Sequence, residues 1–171
     1  MQEFDTATVQ KFLRPLYQDL DGVSRAGDAE RIARIARTLH PRQSASLELL
    51  LAFHLLGTWL DKVGNLSRTA LNTGISEAEL RKTAASIRRL GTPLTEEERA
   101  VAAAILIDSA GVRGLAEKFA RSRREGHSVA DVAREALSER GVPEWMSGEA
   151  KEMLEQRRAQ RDLFARAVLE E

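Results

Sequence analysis

LELLLAFHLLGTWL, residues Leu47 to Leu60, is the most apolar stretch of the chain and decides its fold. Its hydrophobic side chains cover nearly every face a helix would present, and a helix that is apolar all round belongs at the centre of a set of helices. On its N-terminal side, Ile32, Ile35, Ala36 and Leu39 recur at helical spacing as far as His40-Pro41. Earlier still, Phe4, Val9, Phe12, Leu13, Leu16 and Leu20 trace one helical face, with Pro15 as a kink or an early stop, before a break from Val23 to Gly27. On the C-terminal side, Gly64-Asn65 and Asn72-Thr73-Gly74 flank a short segment. Ser76 with Glu79, and Thr95 with Glu98, are capping-box starts for two further helices, the first ending at Gly91. The second runs through Val101 to Ile107 and is read as continuing past Gly111 and Gly114 to Arg124. Ser128 opens a helix to about Ser138, and Ser147 opens the last, with Met153, Leu154, Phe164 and Val168 as its expected buried side. These features predict an all-α, single-domain helical bundle over residues 1–171, with no repeat and no linker.

Composition narrows the chemistry. The 171 residues carry 26 Lys+Arg and 26 Asp+Glu, a formal charge of zero, with 43% hydrophobic residues, enough to bury a core. There is no cysteine, so disulfides, thiolate metal sites and cysteine nucleophiles are excluded, and only three histidines remain to join carboxylates as metal ligands. No apolar run reaches the ~20 residues of a membrane span, and MQEFDTATVQ has no signal-peptide pattern, so a cytoplasmic location is expected. The phosphate-binding loops, zinc motif HExxH, GxSxG elbow and calcium loop are all absent. Arg113, Lys118, Arg121, Arg123 and Arg124 form a basic run, but Glu117 and Glu125 interrupt it and no aromatic offers a stacking platform. A solvated face is the better reading, and no nucleic-acid partner is expected. Arg157, Arg158, Arg161 and Arg166 alternate with acids on the last helix, which suits an exposed, salt-bridged face and leaves a homodimer open.

Within the central stretch, Leu51-Ala52-Phe53-His54-Leu55-Leu56-Gly57-Thr58-Trp59-Leu60 resembles the segment that names the HD-domain phosphohydrolases, a helix ending in a Leu-Leu-His-Asp-Ile-Gly-like string. Arg31-Ile32-Ala33-Arg34-Ile35 is similar to an earlier His-x-x-Arg-Val element of that family. Ala84 to Leu90 is similar to a helix ending Ala-Ile-x-x-His. Thr95 through Ala116 is similar to a string reading Asp-Ala-Asp-Arg-Leu-Asp-Ala-x-Gly-x-x-Gly-Ile-Ala, and the helix from Ser147 to Phe164 resembles the closing helix of bacterial members. The resemblance spans roughly Ser24 to Leu169 and implies a helical HD-type bundle. In the family, a His, a His-Asp pair and a later Asp bind divalent metal, which activates water against a phosphate ester.

Position by position, those ligands become Arg31, His54, Leu55 and Ile105, with Ala103 in place of a further Asp. Leucine and isoleucine have no lone pairs, and a guanidinium is a donor only, so this set is expected to hold no metal and no cofactor. Asp108, Gly111 and Gly114 are retained. The first reading is therefore a metal-free, non-catalytic HD-like module that binds a protein or a small anionic ligand. The alternative is a metal-independent enzyme in which His54, Asp108 and Arg31 act on an anionic substrate, with Arg34, Trp59, Lys62 and Arg113 lining its pocket. A metal-dependent phosphohydrolase using His40, His54, His127 and nearby acids is the third reading.

Overall fold

The computed structural model describes residues 5–18 and 25–170, the side chain of Arg124 excepted; Phe4, Leu20, Val23 and Ser24, which the sequence reading used, lie outside the described residues. The protein is all-helical, as the periodicity predicts, with no sheet among those residues. In chain order the helices are α1 (Thr6–Leu13), α2 (Ala26–Leu39), α3 (Ala45–Phe53), α4 (Gly57–Leu60), α5 (Asn65–Thr73), α6 (Glu77–Arg88), α7 (Glu96–Ser109), α8 (Val112–Glu125), α9 (Val129–Ser138) and α10 (Gly148–Glu170).

The chain divides into two compact units, Met1–Ala102 and Ala103–Glu171. The boundary falls inside α7, where an unbroken helix carries no Pro, Gly or polar linker to mark it in the sequence.

In the first unit, α3 packs on α6, with α1 and α2 both laid against α3 and α5 bridging α1 and α6. Asp5 caps α1 by accepting from the Ala7 and Thr8 amides, and Pro15 turns the chain out of the helix into a 3₁₀ turn, Arg14–Leu16. Of the two roles open to Pro15, the early stop is the one observed. The core gathers Val9, Leu13, Phe53, Leu56, Leu60 and Leu80, with Ile75 and Ala84 beside them. Burying a side chain of this size stabilises by about 1.5–3 kcal/mol, which is why the apolar stretch occupies the middle of the unit.

That stretch is not one helix. It winds as α-helix to Phe53, tightens into a 3₁₀ turn over His54–Leu56, and resumes as α4. The breaker-flanked segment after it is a full helix, α5, bounded by Gly64 and Gly74, both at positive φ (81° and 73°) where an L side chain would be strained.

Both capping boxes form. Ser76 and Glu79 exchange hydrogen bonds at the start of α6. Thr95 and Glu98 do so at the start of α7, where Glu98 also takes the Leu94 amide at 2.8 Å and the Arg89 guanidinium at 2.6 Å.

In the second unit, α8, α9 and α10 pack on one another around Leu115, Val132, Ala133, Ala136 and Ala165. The helix expected to run past Gly111 to Arg124 instead stops at Ser109. Gly111 takes an extended conformation (φ −84°, ψ −176°) and α8 begins afresh. The buried side of α10 is Ala150, Leu154, Arg158, Arg161 and Ala165 rather than the expected face: Leu154 is shared, but Phe164 is exposed and Met153 and Val168 are half-buried. The two arginines explain the rotation. Arg158 donates to the carbonyls of Arg140 and Gly141 (3.3 and 2.7 Å), and Arg161, only 2% exposed, is paired with Glu139 and Asp162. Charged groups are buried here because each finds acceptors at the chain leaving α9.

Candidate functional site

His54 stands at the first position of the 3₁₀ turn, 9% exposed. One ring nitrogen, Nδ1, lies 2.8 Å from the Leu51 carbonyl oxygen. A carbonyl only accepts, so Nδ1 carries the hydrogen and Nε2 is the bare nitrogen. Nε2 is buried and has no hydrogen-bond partner among the described residues. Burial pushes the imidazole below its ordinary pKa; the Leu51 carbonyl works the other way, while the Arg25 charge lowers it and the Asp28 charge raises it. The ring is accordingly neutral at pH 7.

Asp28 is the residue that sequence reasoning passed over. It sits in the first turn of α2, nearly buried, where negative charge suits the helix dipole. Arg25 Nε reaches one carboxylate oxygen at 3.0 Å and Arg31 Nη2 the other at 2.8 Å. Burial acts to raise its pKa, but hydrogen bonds from Arg31 and Arg25 and their charges outweigh burial and hold it below the ordinary carboxylate value. The spacing Arg25-x-x-Asp28-x-x-Arg31 was the available signal, since side chains three apart meet on a helix. Arg31 is half-buried and also donates to the Gly27 carbonyl at 3.1 Å.

The structure thus brings His54 into the field of an Arg25–Asp28–Arg31 clamp. The remaining candidates stand elsewhere. Trp59 packs edge-on against Phe12 (centroids 6.3 Å apart) at the margin of the core. Lys62 is exposed beside a hollow of about 470 Å³ shared with Asp61, Glu77, Arg81 and Arg88. Asp108, half-buried on α7, and Arg113, exposed on α8 and 3.2 Å from Glu117, belong to the second unit. Neither is a free group. Ala103 is buried and Ile105 half-buried, and neither side chain offers a donor atom. Among the described residues, no three His, Asp or Glu side chains gather as a metal site would require.

A wide concavity of the first unit lies beside the clamp. A cleft of about 1210 Å³ runs between α1 with its following turn on one side and α2 on the other. Both helices rest on α3 without packing closely on each other. Ala29, Ala33, Leu51 and Ala52 give it apolar surface, while Lys11, Arg14 and Arg34 stand exposed on its flanks. Arg37 and Glu48 also line it, but they neutralise each other in a two-pronged pair (3.0 and 2.6 Å). Among the described residues Glu30 is the other acid in the lining, on the same side as Arg34, so three cations stand against one carboxylate. Tyr17 closes part of the wall by donating its hydroxyl to the Ala52 carbonyl, and burial raises its pKa to about 12, keeping the phenol protonated.

No motif announces this cleft: its residues come from three stretches of the chain, and only Arg34 among them is a candidate site residue in the sequence. Comparison with family models, with curated proteins and with solved structures gave no match.

Proposed function

We propose that the chain is a non-catalytic, metal-free helical binding module of HD-like type that takes an anionic ligand in the cleft between α1 and α2. The observation that carries this is the lining of the cleft: apolar alanines and leucine beneath, with Lys11, Arg14 and Arg34 exposed above. Such a surface attracts an anion at its flanks and gains from removing apolar area from water below. The donor set supports the metal-free part, because a lone neutral imidazole beside a carboxylate already clamped by two arginines falls short of the three or four donors a stable ion needs.

The test is a titration with 1-anilinonaphthalene-8-sulfonate, an anion with an apolar body. Saturable binding to the folded chain is expected, unaffected by chelator and abolished by Ala33→Trp, which fills the cleft from its half-exposed α2 wall. Binding that survives Ala33→Trp refutes the cleft as the site. A stoichiometric manganese, iron, nickel or zinc ion held by protein side chains after purification refutes the metal-free reading.

The bare Nε2 of His54 favours a second reading, a metal-independent enzyme with that nitrogen as its base. It requires that turnover of an anionic substrate vanish in His54→Ala and persist in chelator. Its difficulty is access, since the imidazole is buried.

A further inference from the structure

We infer that the occupant of the cleft is an acidic amphipathic α-helix supplied by a partner protein, an inference that rests on the cleft being the anion-binding site. Three features lead there. The first is size: about 1210 Å³ exceeds the range of roughly 300–1,000 Å³ typical of small-molecule pockets. A helix with its side chains is about 10 Å across, a cross-section of roughly 80 Å², so this volume takes about 15 Å of helix, some ten residues.

The second is the shape of the walls. Among the described residues, α1 and α2 lie on α3 with a cleft between them that no other helix enters. The surfaces facing that cleft include Ala7, Ala26, Ala29, Ala33 and Ala52, short side chains that let another helix approach. An acyl chain or a nucleotide would leave much of this open trough unfilled, whereas a helix fills it.

The third is the placement of charge. Lys11 and Arg14 stand on the α1 side and Arg34 on the α2 side with Glu30 one turn before it, so the cleft is net positive and its charge is concentrated along the α1 edge. The complement is a helix with an apolar stripe at i, i+3, i+4 and i+7 and Glu or Asp beside it, foremost on the flank that meets α1. Arg37 and Glu48, already joined to each other, present no net charge at their position and ask for none in return.

The experiment selects binders to the full chain from a displayed library of amphipathic helices whose flanking positions vary freely among acidic, neutral and basic residues, with counter-selection against Ala33→Trp. Recovered helices are expected to be acidic beside the apolar stripe, foremost on one flank. Measured by fluorescence polarisation with the labelled peptides, binding is expected to weaken about tenfold or more in the double variant Lys11→Glu with Arg34→Glu. It should change less than about twofold in Arg99→Glu, an exposed position outside the cleft, and should fall with rising salt. Recovery of helices with neutral or basic flanks, or of binders indifferent to Lys11 and Arg34, overturns the inference. If no helix binds while anilinonaphthalene sulfonate still does and is displaced by oleate, the cleft belongs to an acyl anion: the helix inference falls and the anion site stands. If the dye also fails, both fall.

Discussion

Replacing His54 by leucine should remove a pH dependence from the first unit while leaving its stability at neutral pH little changed. The folded unit holds the imidazole neutral, because burial opposes the charge and, among the described residues, the bare Nε2 has no acceptor to meet a second proton. The unfolded chain exposes the same ring at its ordinary value near 6.5. The folded pKa therefore lies below the unfolded one, and protons bind the unfolded state first. Stability from neutral His54 is complete above about pH 6.5 and drains away as pH falls from there toward the folded value, at up to about 1.4 kcal/mol per pH unit. Between pH 6.5 and 5 the loss is at most about 2 kcal/mol. The neighbouring carboxylate does not confuse the window, since the two arginines keep Asp28 ionised well below it.

At pH 7.5 the substitution deletes one hydrogen bond, the 2.8 Å contact to Leu51, worth about 1 kcal/mol, and removes one unpaired buried nitrogen, whose relief is of similar size. The net change is expected within about 1 kcal/mol. Urea unfolding followed by Trp59 fluorescence in a Trp145→Phe background reads the first unit separately, which matters because a chain of two units need not unfold in one step. A wild-type slope that survives in His54→Leu refutes the reasoning. A loss of several kcal/mol at pH 7.5 would show that Nε2 has a partner after all.

Gly114→Ala should be severely destabilising and Gly111→Ala nearly neutral, although the two stand three residues apart. A Cβ on Gly114 would come within 1.8 Å of the Ser109 carbonyl oxygen, a backbone atom that cannot swing aside, whereas one on Gly111 would meet only the Arg157 side chain at 3.6 Å. We expect about 2–3 kcal/mol for the first, lowering the melting temperature of the second unit by on the order of 10 °C, and equal melting of both variants would contradict the assignment. Glu98→Ala should cost the first unit about 2–4 kcal/mol in urea unfolding at pH 7, because it strands the Leu94 and Thr95 amides and Arg89 around a fully buried side chain. Burial works to raise the Glu98 pKa, but hydrogen bonds from Ser86, the Leu94 amide, Arg89 and the Thr95 amide hold it below the ordinary value. Its contribution is thus complete above about pH 4.3 and lost as pH falls through the folded value, so wild type and variant should converge in acid.

What the sequence displays is what local forces decide. The starts of α6, α7 and α9 are legible because a cap and its acid lie three residues apart in the chain, as in Ser76 with Glu79. The apolar periodicity gives the helices for the same reason. Two of the failures turn on polar side chains that the fold buries. Nothing between Leu47 and Leu56 breaks a helix, yet the chain tightens at His54, where Leu51 takes the ring's hydrogen and the Asp28 clamp lies close by. The face of α10 is misread because periodicity assigns arginine to water. Arg158 is buried all the same, since the carbonyls of Arg140 and Gly141 need donors.

The cleft is the extreme case. It consists of the space left when Pro15 ends α1 and the chain returns as α2 along another line on α3, and no residue type encodes an absence. The HD-like string drew the eye to His54, a histidine with its lone pair shut away from solvent. The exposed charges stand one cleft away, on helices whose alanines carry no motif. If binding is the function, substitutions at Lys11, Arg14 and Arg34 should alter it without touching stability, because these side chains reach into water and the core does not depend on them. Substitutions at Asp28 and Phe53 should do the reverse. A variant set that inverted this division, with ligand binding governed by His54 and indifferent to the three cations, would return the function to the buried imidazole.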